Sequence, residues 1–254
     1  MGNRNSIGQV TTPAPSAAYL AFYPCLQAST DTTVQDRSGK GNHATLGALT
    51  VGEAWGVSNY LSSLDSSDKA ARAAVGMFSG WTSSRSLLVS VRATVTKEGA
   101  QATLWGNGAG GLAHSGLALR VAASGALSFW GYKSDNTSAS TGTTTETPFA
   151  TAAEHDIGVA YDGAAKTVVI YIDGVRSTNY STPSDVSAWI DLCDDNLIDP
   201  MFLGGRVSAD TVAGKYQYWH FLSRAGALPS NIDEIMVRLR QNPATPLSEY
   251  EFGA

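Results

Sequence analysis

Charge is scarce in this 254-residue chain: Asp, Glu, Lys and Arg together make up 15%. The net charge is −5, and Lys and Arg form no cluster, so no nucleic-acid footprint is expected. Arg37 and Lys40 read as isolated, solvated loop charges. The two cysteines, Cys25 and Cys193, lie far apart and form no C-x-x-C. A single long-range disulfide and two buried thiols are both open, the thiols favoured; a disulfide-dependent secreted domain is not expected. No run approaches the roughly eighteen apolar residues of a membrane span. The opening residues hold no apolar segment of signal-peptide length. The expectation is a product made in a cytoplasm without Sec export. G-x-S-x-G, H-E-x-x-H and the phosphate-binding G-x-x-x-x-G-K-[ST] are all absent.

Glycine (26 residues), serine and threonine are abundant, and turn-formers between short apolar runs favour an all-β chain. "AAYLAFYP" (17–24) reads as a first strand ended by Pro24. Residues 46–80 are irregular. In "SLLVSVRATV" (86–95), Leu87, Val89, Val91, Ala93 and Val95 alternate with a second set, the period of a half-buried strand. "GLALRV" (116–121) and "ALSFWGY" (126–132) form a hairpin around "AASG". Nine of the fourteen residues from Ser134 to Thr147 are Ser or Thr, which predicts an exposed loop. "HDIGVAYDGAAKTVVIYIDGVRS" (155–177) predicts paired strands, with Asp173-Gly174 as the turn into the next. "TVVIYI" is apolar on both faces, as a central strand is. "MFLGG" and "KYQYWHFL" (215–222) are the last strands.

One helix follows. Ile232, Ile235, Met236 and Leu239 have helical spacing, Ser230 with Asp233 predicts the cap, and Asn242-Pro243 the stop. The predicted architecture is a two-sheet antiparallel jelly-roll sandwich with one short C-terminal helix. Its parts are an extended Pro-containing arm over 1–18, the sandwich over 19–242 and an extended surface tail over 243–254.

Five side chains with oxygen donors, Asp191, Asp194, Asp195, Asn196 and Asp199, fall within nine residues. A solvated acidic loop and a calcium site are both open there. Trp81, Trp130 and Tyr132 are the candidate ligand contacts, since aromatic rings stack on the C–H faces of sugars. Trp130 and Tyr132 share one strand face, and Trp81 has loop-like neighbours. His114-Ser115 has no evident acid partner, and His220 reads as a satisfied strand histidine.

Three stretches in order carry a resemblance: "LAFYPCL" followed by "DRSGKGNHATL" (36–46), "HDIGVAYDGAAKTVVIYIDGV", and "FLGGR" (202–206) with "YQYWHFLSRAGALP" (216–229). Together they resemble the concanavalin A-like lectin/glucanase superfamily, and within it the laminin-G-like and pentraxin-like jelly rolls. The resemblance spans roughly residues 17–240 and implies that the D-x-S-G-x-G-N-H loop is mainly scaffold. Gly39 and Gly41 let the chain turn, Asp36 and Asn42 bond backbone groups as Asx residues do, and Gly174 serves the later turn. A calcium site on Asp36 or Asn42 oxygens is the alternative. The superfamily's glucanases pair carboxylates in E-x-D-x-x-E. Here the only E-x-D is Glu154-His155-Asp156, and Val159 stands where the second Glu would fall, so both acids read as strand-opening residues and no enzyme is expected. The expected function is a non-catalytic structural or recognition module of a bacteriophage particle. Its partners would be other virion proteins or copies of itself, and host-surface glycan. A free lectin, calcium-dependent or not, is the runner-up, ahead of a glycoside hydrolase.

Overall fold

The structure, a computed structural model, describes residues 17–24, 32–45, 61–63, 71–72, 76–78, 81–95, 102–106, 116–132, 138–177, 201–204 and 214–253. Strands are numbered in chain order. One antiparallel sheet runs β1 (Tyr19–Tyr23), β15 (Gly214–Ala225), β6 (Arg85–Val95), β11 (Glu154–Asp162), β12 (Thr167–Ile172), β13 (Val175–Arg176), with β4 (Leu61–Ser63) also pairing β15. The other runs β10 (Ser138–Ser140), β9 (Leu127–Tyr132), β8 (Gly116–Val121), β7 (Ala102–Gly106), β14 (Phe202–Leu203), β5 (Ala71–Arg72), β3 (Ala44–Thr45), β2 (Thr33–Val34). The chain is an all-β sandwich, as the alternating pattern predicts. The irregular stretch 46–80 supplies two short strands, β4 and β5, one to each sheet.

Alternation decides what enters the core. Leu87, Val89 and Val91 of β6 pair with Tyr161, Val159 and Ile157 of β11, and all six are buried between the sheets. Leu119 and Phe129 face them from the second sheet. A register irregularity between Tyr216 and Trp219 breaks the period of β15. The extra residue turns both rings inward, stacked with centroids 5.2 Å apart, and leaves His220 on the outer face.

That outer face is apolar too. Phe22, Leu88, Ala160, Tyr171 and Leu222 meet Ile232, Ile235, Met236 and Leu239 of helix α1 (Ile232–Gln241). This third layer is why "TVVIYI" is apolar on both faces although only the two-residue β13 lies outside it. At Gly158 an added Cβ would stand 1.9 Å from Met236 Cε, so the missing side chain lets the helix seat closely. The helix starts differently from its predicted cap. Asn231 holds the N-cap position with no side-chain cap bond, and the Asp233 carboxylate instead accepts from Tyr171 Oη at 2.5 Å and Arg176 Nη2 at 2.9 Å. The tail is not merely extended: it forms the one-turn helix α2 (Glu249–Phe252) and buries Leu247 and Phe252 in the outer layer.

The Ser/Thr-rich stretch also departs from its predicted loop. Ser138–Ser140 is the edge strand β10, and Thr141 and Thr144 beyond it are buried. Their amides donate to Phe129 O and Leu127 O, and their hydroxyls accept from Phe129 N at 3.1 Å and Leu127 N at 2.9 Å. Hydroxyls thus complete the edge of β9 where a ladder would otherwise stop. Asp173 and Gly174 both adopt positive φ, as the Asp-Gly turn requires.

Candidate functional site

The site grows from the opening loop. Asp36, only 6% exposed, accepts four hydrogen bonds. Phe22 N and Ser38 N donate to its Oδ1 at 2.9 and 2.8 Å; Ser38 Oγ and Asn42 N donate to Oδ2 at 2.8 and 2.9 Å. Asn42 Nδ2 donates to Leu20 O at 2.7 Å, Tyr23 Oη to Asn42 O at 2.5 Å, and Arg37 N to Phe22 O at 2.8 Å. The Asp36 amide donates to His43 Nδ1 at 3.0 Å. Gly39 and Gly41 turn the loop at φ +85° and +74° with no atom within 4 Å of an added Cβ, so backbone conformation alone calls for glycine there. The loop therefore serves the free edge of β1 as a partner strand would. It leaves no vacant oxygen on Asp36: a calcium ion would have to displace backbone donors, which corrects the expectation of a cation at that carboxylate.

Beside this loop lies a cleft of about 380 Å³, lined by Ala17, Ala18, Tyr19, Leu20, Lys40, Asn42, Met77, Arg85 and Ser223. Five stretches converge on it: the start of β1, the loop, the turn at Met77, the start of β6, and β15 through Ser223. Arg85 Nε donates to Ser223 Oγ at 3.2 Å, which sets the guanidinium against the cleft wall. Asn42 is held by its Nδ2, so its Oδ1 is the amide's remaining acceptor. Two sequence features announce these residues only in hindsight. Lys40 sits between the loop glycines, and Arg85 opens the strongest alternating strand, yet both look like ordinary solvated charges.

The aromatic candidates do not gather there. Trp81 is 5% exposed, tilted on Tyr161 and edge-on to Phe78 inside the core. Its loop-like neighbours misled, because the chain bends inward at that point, and its ring is not at the surface. Trp130 alternates with the core residue Phe129 and so lies on the outer face of the second sheet. Its Nε1 donates to Ser128 Oγ at 2.7 Å, and the Arg120 guanidinium lies over the ring, 4.8 Å from its centroid. One face of that ring is thus already occupied. Tyr132 follows two residues on, paired with Gly116 and Ser138. Asp191, Asp194, Asp195 and Asp199 lie outside the described residues, as do Cys25, Cys193 and His114. Among the described residues no group of three or more His, Cys, Asp or Glu could hold a metal.

Glu154 and Asp156 do share one face of β11, but Arg92 stands between them. Its Nε and Nη2 grip Asp156 at 2.9 and 2.8 Å, and Nη2 also donates to Arg240 O, at the helix C-terminus, at 2.6 Å. Glu154 is looser, 3.9 Å from Arg92 Nε and bonded by Gln217 Nε2 at 3.0 Å. Burial pushes the Asp156 carboxyl above its ordinary value against the pull of Arg92. The arrangement ties sheet to helix. A second acid–base pair, His155 Nδ1 with Asp173 Oδ2 at 2.8 Å, closes the neighbouring turn.

No family model and no curated protein matches the chain. Solved structures do. A Trypanosoma rangeli sialidase captured as a covalent intermediate with 2,3-difluorosialic acid is 16% identical, with a TM-score of 0.58 over 91% of this chain and 34% of its own. The same sialidase in complex with sialic acid gives 16% identity and a TM-score of 0.57, again over 91% and 34%. The binding domain of botulinum neurotoxin serotype D is 13% identical, with a TM-score of 0.60 over 91% of this chain and 54% of that one. This chain thus spans about a third of the sialidases and about half of the toxin domain. At such identities the likeness shows a β-sandwich of jelly-roll type. It also overturns two expectations drawn from the sequence. The similar chains include sialidases, which are enzymes, so the fold gives no ground for excluding catalysis. Neither the sialidase nor the toxin domain is a virion protein, so the reading as a non-catalytic bacteriophage module has no support. No described helix is long and apolar enough to cross a membrane.

Proposed function

We propose that this chain is a carbohydrate-recognition domain of the concanavalin A-like lectin/glucanase type, holding a saccharide in the cleft beside the opening loop. The cleft carries the reading. Its volume of about 380 Å³ falls in the range of small-molecule sites. Among its lining residues, Asn42 and Ser223 offer partners for sugar hydroxyls, and Leu20 and Met77 offer apolar contact for sugar C–H groups. The walls are preformed, because the Asp36 hydrogen bonds fix the loop before any ligand arrives. The similarity to a sialidase solved with sialic acid supports a glycan as the ligand class.

The test is a glycan array with the full chain and with Ala17→Trp, which fills the cleft from an exposed position. Binding to a subset of glycans is expected, and Ala17→Trp should abolish it. An empty array, or binding indifferent to Ala17→Trp, would sink the proposal. Repeating the array in EDTA and then in added calcium reads whether the acidic loop of Asp191, Asp194, Asp195 and Asp199 contributes a cation. Product release from any bound glycan would read turnover in the same samples.

A further inference from the structure

We infer that the cleft takes an anionic saccharide, one bearing a carboxylate or a sulfate, with Arg85 and Lys40 as its charge partners. This rests on the carbohydrate reading of the same cleft. The two cations reach it from different elements, Lys40 from the opening loop and Arg85 from the start of β6. Among the described residues neither forms an ion pair. The side chain of Arg85 makes one hydrogen bond, from Nε to Ser223 Oγ, and its two terminal nitrogens remain to grip a planar or tetrahedral anion. Among the described residues no Asp or Glu lines the cleft. The loop's own carboxylate, Asp36, is buried with both oxygens engaged by backbone and hydroxyl donors, so it does not neutralise the pair by direct contact.

The sign of the site is the informative part. The chain carries a net charge of −5, and three of its arginines are neutralised by carboxylates: Arg92 by Asp156, Arg176 by Asp233, Arg238 by Glu251. Lys40 and Arg85 differ from those three in lining one cleft together, along with Leu20 and Met77. A positive cleft in a negative molecule selects for an anion and concentrates it locally. Asn42 Oδ1 and the Ser223 hydroxyl then serve the sugar's own hydroxyls.

Isothermal titration of the full chain with lactose, 3′-sialyllactose and 3′-sulfolactose tests this, because the three share a neutral core and differ in the anion. At least one anionic sugar should bind about tenfold tighter than lactose, as a charge-assisted contact allows. The preference, read within each variant as the ratio of anionic-sugar to lactose affinity, should disappear in Arg85→Gln and in Lys40→Glu. Lys40 is exposed, so its variant keeps the test decisive if Arg85→Gln fails to fold. The carboxylate and sulfate arms show which anion the cleft prefers. Equal affinity for all three sugars, a preference that survives both substitutions, or no binding of any of the three would overturn the inference. Binding of other neutral glycans on the array would, in each case, leave the carbohydrate reading standing.

Discussion

The molecule holds two apolar layers that are built on opposite principles. Between the sheets, residues such as Val89, Phe129, Val159 and Phe221 come from strands spread across the chain, and each is inside because its strand alternates. Outside the first sheet, a thinner layer joins the two ends of the described chain, Tyr19 and Phe22 at one end with Leu247 and Phe252 at the other. That layer is seated by a polar chain. His220 Nε2 donates to Pro243 O at 2.7 Å, Tyr19 Oη donates to His220 Nδ1 at 2.9 Å, and Leu247 N donates to Tyr19 Oη at 2.8 Å. The inner layer depends mainly on buried apolar area, with tyrosine hydroxyls such as that of Tyr161, which donates to Ser83 O, bonded at its margin. The outer one depends also on a neutral imidazole whose two nitrogens play different parts.

The comparison breaks first at the inner layer. Phe129→Ala removes a fully buried ring wedged against Trp105, and about 3–5 kcal/mol of stability should go with it. Urea denaturation should show the lower midpoint with an unchanged slope and little dependence on pH.

The outer layer should answer to acid instead. Burial holds the His220 pKa at about 4, down from the ordinary 6.5. The folded state therefore resists a proton that the unfolded chain accepts. The histidine's contribution is complete above about pH 6.5 and is lost as pH falls toward 4, a difference of roughly 3 kcal/mol. Below the folded value it declines no further. Denaturation midpoints of the native chain and His220→Asn, measured between pH 7 and pH 4, isolate the histidine's contribution. The native chain should lose the extra stability and the variant should not. Parallel pH curves would remove the imidazole from the account.

A smaller effect tests the hydroxyl edge of the second sheet. Thr144→Val keeps shape but leaves Leu127 N without its acceptor, and about 2 kcal/mol should be lost. Hydrogen exchange at Leu127 should speed up while exchange at Phe129, served by Thr141, holds. Equal protection at both amides would show that the hydroxyl was dispensable.

How far the sequence spoke follows the same division. Period-2 alternation in β6, β8, β9 and β11 was legible because successive side chains point to opposite faces of the sheet, one of which packs into the core between the sheets. The strand apolar on both faces was legible too, though what covered its second face became plain only with α1 in place. Thr141 and Thr144 were misread because composition reports a side chain's polarity and not its bonding partner. Trp81 was misread for the converse reason, since polar neighbours along the chain say little about neighbours in space. The cleft was the least visible. Lys40 and Arg85 are 45 positions apart in sequence, and only the closure of the loop on β1, beside the start of β6, makes them one feature.

That closure can be tested with the gentlest substitution. Gly41 adopts φ +74° with open space around an added Cβ, so Gly41→Ala creates no clash and acts through the backbone alone. A left-handed alanine costs about 1 kcal/mol, the smallest loss in this series. The residue lies between Lys40 and Asn42, however, and the Asn42 amide closes the loop on Asp36. If the loop is only scaffold for β1, stability should fall slightly and glycan affinity should keep pace with the folded fraction. If it also presents Lys40 and Asn42 to a ligand, the variant should stay folded and still bind several-fold more weakly. A calorimetric titration at a temperature where both proteins are fully folded separates the two, since at that temperature the stability loss no longer contributes to the measured affinity.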